Sequence, residues 1–329
     1  MEIEIYRVSH QLALYRVATV RPLRVQKEEF MSLEKWLVQA GETKVIDLDI
    51  VRSITIALVG GQIDVIAHDE PTARVEVHSV GGRPLKVSMD GDRLEIDHIQ
   101  LRWDTIVDVV KGLGRRGDRA DISLLVPRGV ALKFDTISAD GLVSGLHSDA
   151  RISTVGGDIV VDGLHGDIDV NTVHGELSVR SHTGRVAART VSGDVTAAGA
   201  LTRFSVDGVS GNVFVDADGA PDEVRANTVG GDLTVRIDEG LGARYRINTV
   251  SGTLQLDGSI VKGTFGRGFT STTGSLDSKW VDITANSVSG DVTVVRRPAA
   301  PATASVNEGW GSPDSAPSDE QRPTDGGAL

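Results

Sequence analysis

The chain has no cysteine among its 329 residues. Disulfides, thiolate metal sites and a cysteine nucleophile are therefore excluded. Aromatic residues make up only 4 % of the sequence, which disfavours a helical enzyme with an aromatic-lined pocket. Basic residues are outnumbered, with 34 Lys and Arg against 46 Asp and Glu. The resulting formal charge of −12, with a pI near 5.1, disfavours a general binder of nucleic acid or anionic membrane, since either needs a basic face. No apolar run approaches the roughly 18 residues that span a bilayer. The most apolar N-terminal piece, residues 11–20, is interrupted by Arg16 and is followed by no small-residue cleavage site. No secretory signal is read there, and a cytoplasmic location without an integral membrane segment is expected. Met31 opens the stretch MSLEKWLV, a plausible natural start. Residues 1–30 are then an upstream extension, expected to be poorly ordered.

Glycine, by contrast, is plentiful, at 38 residues, and it is periodic. Within residues 151–212 the phrase (S/N/R)-T-V-x-G-D recurs with its valine at Val155, Val173, Val191 and Val209, 18 residues apart. Glycines punctuate the same stretch every nine residues, at Gly157, Gly166, Gly175, Gly184, Gly193 and, after one lapse at Thr202, Gly211. A fixed short period with glycine corners is the signature of a solenoid.

Aligned on the residue after the corner glycine, the coils place Asp140, Asp158, Glu176, Asp194, Asn212, Asp232, Thr253 and Asp291 in one register. The residues one and three further on are apolar, as in Ile159/Val161, Leu177/Val179, Val213/Val215 and Leu233/Val235. The opposing half-coils repeat this with Ile168/Val170, Phe204/Val206 and Tyr245/Ile247. Period two with one apolar face predicts short strands around a narrow aliphatic core. Val191 and Val195 are both expected to point inward. Stacked coils of 18–21 residues, rising about 4.8 Å each, predict a parallel β-solenoid.

Four regions follow. After the extension 1–30, residues 31–131 read as an irregular N-terminal β-region and cap. It contains alternating runs from Val45 onward and a degenerate phrase at 58–65, which suggests a first coil there. It also holds one short helix at 103–113, where Trp103, Ile106, Val107, Val110 and Leu113 share a face. That helix reads as packed on the β-structure; a membrane-surface helix is the alternative, weakened by Asp104 and Asp108. Regular repeats occupy residues 132–297, with a looser coil at 271–280. The tail 298–329, acidic and rich in Pro, Ala and Ser, is expected to be disordered. The tail and the N-terminal region are the candidate covers for the ends of the rod, leaving a monomer or small homo-oligomer.

The corner column Gly157, Gly175, Gly193, Gly211, Gly231, Gly252 and Gly290 reads as structural. The candidate chemical constellation is the acidic column Asp158, Glu176, Asp194, Asp232 and Asp291, whose carboxylates stack closely enough for Ca²⁺ to bridge. The favoured reading is a corner residue that caps backbone N–H groups. Neither catalytic residues nor a metal site nor a cofactor is assigned. A polysaccharide hydrolase or lyase needs acids converging from neighbouring coils with basic or aromatic residues, and here the acids belong to the repeat. His147 and His165, 18 residues apart, could stack without a third ligand at suitable spacing. Asn, Thr and Ser before each valine, as in Asn171-Thr172, Asn227-Thr228, Asn248-Thr249 and Asn286-Ser287, predict side-chain ladders along one edge.

The phrases TVSGDV at 190–195, NTVGGDL at 227–233, NTVSGTL at 248–254 and NSVSGDV at 286–292 resemble the putative-adhesin family of bacterial β-strand-repeat domains of unknown function, in its actinobacterial form. The resemblance covers roughly residues 33–297. It implies a β-solenoid, no catalytic residues to carry over, and a link to envelope-stress systems. The expected function is a non-enzymatic scaffold or protein-interaction module with an unidentified protein partner. A carbohydrate- or surface-binding adhesin is the first alternative and a polysaccharide-active enzyme the second.

Overall fold

In the computed structural model, residues 33–98, 117–261, 268–277 and 279–298 are described. The expected helix at 103–113, the extension 1–30 and the tail beyond residue 298 lie outside them. The described residues are all-β, and the chain forms a β-solenoid-like coil flattened into two faces. Four long strands, Ser53–His68, Ala131–Ser144, Leu177–Ser192 and Val195–Ser210, run from one face round a corner onto the other.

Parallel stacking begins within the N-terminal region. Ser53–His68 pairs in parallel with Ala131–Ser144 along both faces. On one face the order continues through Ala150–Thr154, Ile168–His174, residues 185–192 and 203–210, and Glu223–Gly230. On the other it continues through Ile159–Asp162, residues 177–180 and 195–199, Val213–Ala217 and Leu233–Asp238.

The stack then leaves sequence order. Trp280–Ser289 pairs with Glu223–Gly230 on one side and Gly242–Ser251 on the other. Val292–Arg297 lies likewise between Leu233–Asp238 and Leu254–Leu256. The last coil of the chain is therefore inserted beneath the coil that precedes it. The looser coil expected at 271–280 is not a parallel rung either: Phe269–Thr273 runs antiparallel on Gly242–Ser251.

Antiparallel strands close both ends of the stack. Glu34–Val38 and Leu85–Asp90 extend one face past Arg93–His98, and Lys44–Ile50 and Thr72–Gly81 extend the other past Arg119–Pro127. At the far end Phe269–Thr273 and Ser259–Val261 take the same role. Parallel edges leave regular unpaired N–H and C=O groups, and reversing direction in short outer strands is one way to limit them.

Between the faces lies one continuous core of Val, Ile, Leu and Ala. The period-two pairs all point into it: Ile159/Val161, Ile168/Val170, Leu177/Val179, Phe204/Val206 and Tyr245/Ile247 are buried. Tyr245 is wholly enclosed, and its hydroxyl accepts from the Arg296 guanidinium at 3.3 Å, which gives the one polar atom of that large side chain a partner.

A candidate binding edge at the repeat corner

Each repeat phrase turns the chain from one face to the other, and the chemistry of the turn explains its letters. Along Ile168–His174, Ile168, Val170 and Thr172 alternate inward. The threonine takes the last inward position of the strand, and at three corners its hydroxyl bends back onto the corner backbone. Thr154 donates to the Gly156 carbonyl at 2.6 Å, Thr172 to His174 at 2.8 Å and Thr228 to Gly230 at 2.7 Å. Thr190 and Thr249 are buried at the equivalent positions without such a partner, so the bond is not common to every corner.

The valine that follows is out of phase and faces solvent. Val155, Val191, Val209, Val229, Val288 and Val250 are exposed, Val191 at 46 %, and Val173 is half-buried. The expectation that Val191 points inward is thus overturned, while Val195, at 1 %, is core. Period-two counting from Val186 and Ala188 puts Thr190 inside and Val191 outside. That parity is the sequence signal for the valine edge.

Next comes the glycine column. A Cβ on Gly175 would overlap the carbonyl oxygen of Gly157, and likewise Gly193 on Gly175, Gly211 on Gly193 and Gly231 on Gly211. The inserted coil obeys the same rule, with Gly290 on Gly231 and Gly252 on Gly290. Backbone meets backbone at this corner, so no side chain fits.

The acidic column follows directly. Asp158 Oδ1 accepts the Glu176 N–H at 2.8 Å, Asp194 Oδ1 the Asn212 N–H at 2.7 Å, and Asp232 Oδ1 the Asp291 N–H at 2.9 Å. Asn212 Oδ1 accepts the Asp232 N–H at 3.1 Å, and Asp291 Oδ1 the Thr253 N–H at 2.7 Å. A carboxylate or amide oxygen thus ties these corners to the next in five places, and Glu176 makes no such bond to Asp194. Among the described residues no group of three or more His, Asp or Glu side chains is placed to hold a metal ion. The His147 and His165 rings do meet, edge to face, with centroids 4.7 Å apart.

On the other flank of the valines runs an amide ladder. Asn248 donates to Asn286 at 2.8 Å, Asn286 to Asn227 at 2.8 Å, and Asn227 to Asp207 at 2.7 Å. Together with Val209, Val229, Val250 and Val288 these residues line a groove of about 530 Å³ that reaches Gly268. Regular rows of amides, valines and carboxylates therefore run side by side along one edge of the rod.

The family model for the Toastrack DUF4097 domain matches residues 51–295. The chain belongs to the Toastrack family. No curated protein matches it. Among the solved structures to which the chain is similar are three bacterial proteins. A putative lipid binding protein from Parabacteroides distasonis is 11 % identical, with 78 % of this chain and 96 % of that one covered and a TM-score of 0.42. A putative adhesin from the same species is 15 % identical, with coverage of 78 % and 99 % and a TM-score of 0.41. A putative adhesin from Bacteroides fragilis is 13 % identical, with coverage of 78 % and 98 % and a TM-score of 0.38. In this Toastrack chain no helix among the described residues is long and apolar enough to cross a membrane.

Proposed function

We propose that this Toastrack chain is a non-enzymatic binding module whose contact surface is the valine edge. The observation that carries the reading is the run of exposed valines on neighbouring rungs. A valine contributes to folding by leaving water, and these remain half in it. An apolar row kept on the surface in register points to a partner that covers it. The scaffold suits the task, because hydrogen-bonded rungs fix the spacing of the row at about 4.8 Å before any partner arrives. In the acidic column, Asp158, Asp194 and Asp232 accept backbone N–H groups, which supports a structural role for it.

The test is affinity capture by the full chain and by the variant Val209→Ser/Val229→Ser/Val288→Ser, followed by identification of what each retains. A partner held by the native chain and lost by the variant supports the reading. Equal retention by both rules out the valine edge as the contact surface.

A further inference from the structure

We infer that the occupant of the valine edge is a cationic amphipathic helix of a partner protein, lying along the axis of the rod. The inference rests on the binding-edge reading and adds the chemistry of the partner.

Charge on the two flanks of the valines is unequal. Three residues after Val155, Val173, Val191, Val229 and Val288 stand Asp158, Glu176, Asp194, Asp232 and Asp291, all exposed. Asp158, Asp194, Asp232 and Asp291 use Oδ1 to accept the next rung's N–H. In each, the other oxygen remains for a lysine or arginine. The opposite flank carries Asn171, Asp207, Asn227, Asn286 and Asn248, with Arg189 as its cation, donating to Asn171 Oδ1 at 3.3 Å. His174 lies on the edge beside Val173 and pairs with Ser192. A partner that matches this surface needs an apolar stripe bordered on one side by positive charge.

Length and pitch favour a helix. Seven valine rungs at about 4.8 Å span about 29 Å, the length of about 19 helical residues at about 1.5 Å each. A helix returns an apolar side chain to one face about every 5.4 Å, close to the rung spacing. The chain's overall charge of −12 attracts a cationic partner and repels an anionic one.

The experiment is fluorescence anisotropy of a labelled Leu/Lys amphipathic peptide of about 18 residues, titrated with the full chain. Its Leu/Glu counterpart is the comparison. The Leu/Lys peptide should bind saturably in about 20 mM salt and about tenfold more weakly in about 300 mM salt. Val209→Ser/Val229→Ser/Val288→Ser should weaken it about tenfold, and so should Asp194→Asn/Asp232→Asn/Asp291→Asn, which keeps every acceptor oxygen but removes three charges. Equal binding of the Leu/Glu peptide overturns the inference, as does binding that neither variant changes. No binding at all also overturns it. In that outcome the edge is held by a second copy, seen as a dimer in sedimentation, by the chain's own basic residues 5–27 with Arg7, Arg16, Arg21, Arg24 and Lys27, or by a partner of other chemistry. Failure here with a valine-dependent partner still captured leaves the binding-edge reading intact and removes only the cationic helix.

Discussion

Gly290 rests on Gly231 rather than on Gly252, its predecessor in the phrase series: a Cβ on Gly290 would overlap the Gly231 carbonyl oxygen. One contact thus shows both why the corner demands glycine and how the last coil is threaded into the stack.

The glycine requirement is steric, and it can be separated from backbone strain at Gly193, which does not have a left-handed φ. Gly193→Ala should cost more than about 2 kcal/mol, since the added methyl displaces a whole rung. Gly156→Ala, whose Cβ would meet its nearest neighbour at 3.7 Å, should change stability by less than about 0.5 kcal/mol. Equilibrium denaturation of the two variants checks this.

For the stability of the acidic column's corners, the acceptor oxygen matters and the charge does not. Asp194→Asn should be within about 0.5 kcal/mol of the native chain, because Asn212 performs the same task one rung on. Asp194→Ala should cost about 1 kcal/mol for the lost acceptor. The unfolding midpoint should not respond to Ca²⁺ or to a chelator; a calcium-dependent rise would revive a metal role for the column.

Rung order is checked by cross-linking, which the absence of cysteine makes clean. Asn227→Cys with Asn286→Cys occupies paired positions on adjacent rungs and should form a disulfide, as should Asn286→Cys with Asn248→Cys. Asn227→Cys with Asn248→Cys should not, since two rungs separate them by about 9.6 Å, beyond disulfide reach. Oxidation followed by mass analysis of the peptides reads the result.

Much of this architecture was legible in the sequence because it is imposed by the backbone. Glycine where rungs touch, an oxygen-bearing residue where an N–H needs an acceptor, and apolar pairs such as Val213/Val215 each repeat with the coil. Two features were not legible in the same way. Val191 is apolar and sits in an apolar-looking run, so residue type pointed inward while parity pointed outward. The buried Thr190 decides for parity. The insertion of Trp280–Ser289 is invisible locally, because NTVGGDL, NTVSGTL and NSVSGDV present interchangeable corners. Only long-range packing chooses among them.

Histidine burial sets a pH response. His182 is fully buried with neither ring nitrogen hydrogen-bonded, and burial is the main cause that pushes its imidazole below the ordinary 6.5, opposed by the nearby backbone of Arg185 and Leu164 and by Asp167. His98 is lowered in the same direction, again mainly by burial. A depressed folded-state value means the unfolded chain takes up the proton first. The stability linked to these groups is fully present above about pH 6.5 and is lost as pH falls below it. Unfolding midpoints between about pH 7.5 and about pH 5 should fall, and His182→Gln should flatten that slope. A slope unchanged by the substitution would remove His182 from the response.

The central claim is that the valine edge serves binding and not folding. The most direct measurement is the unfolding free energy of Val209→Ser/Val229→Ser/Val288→Ser in the full chain. The predicted result is a value within about 1 kcal/mol of the native chain, because three exposed surface changes remove no core contact. A loss of several kcal/mol, of the size expected for buried valines, would contradict it.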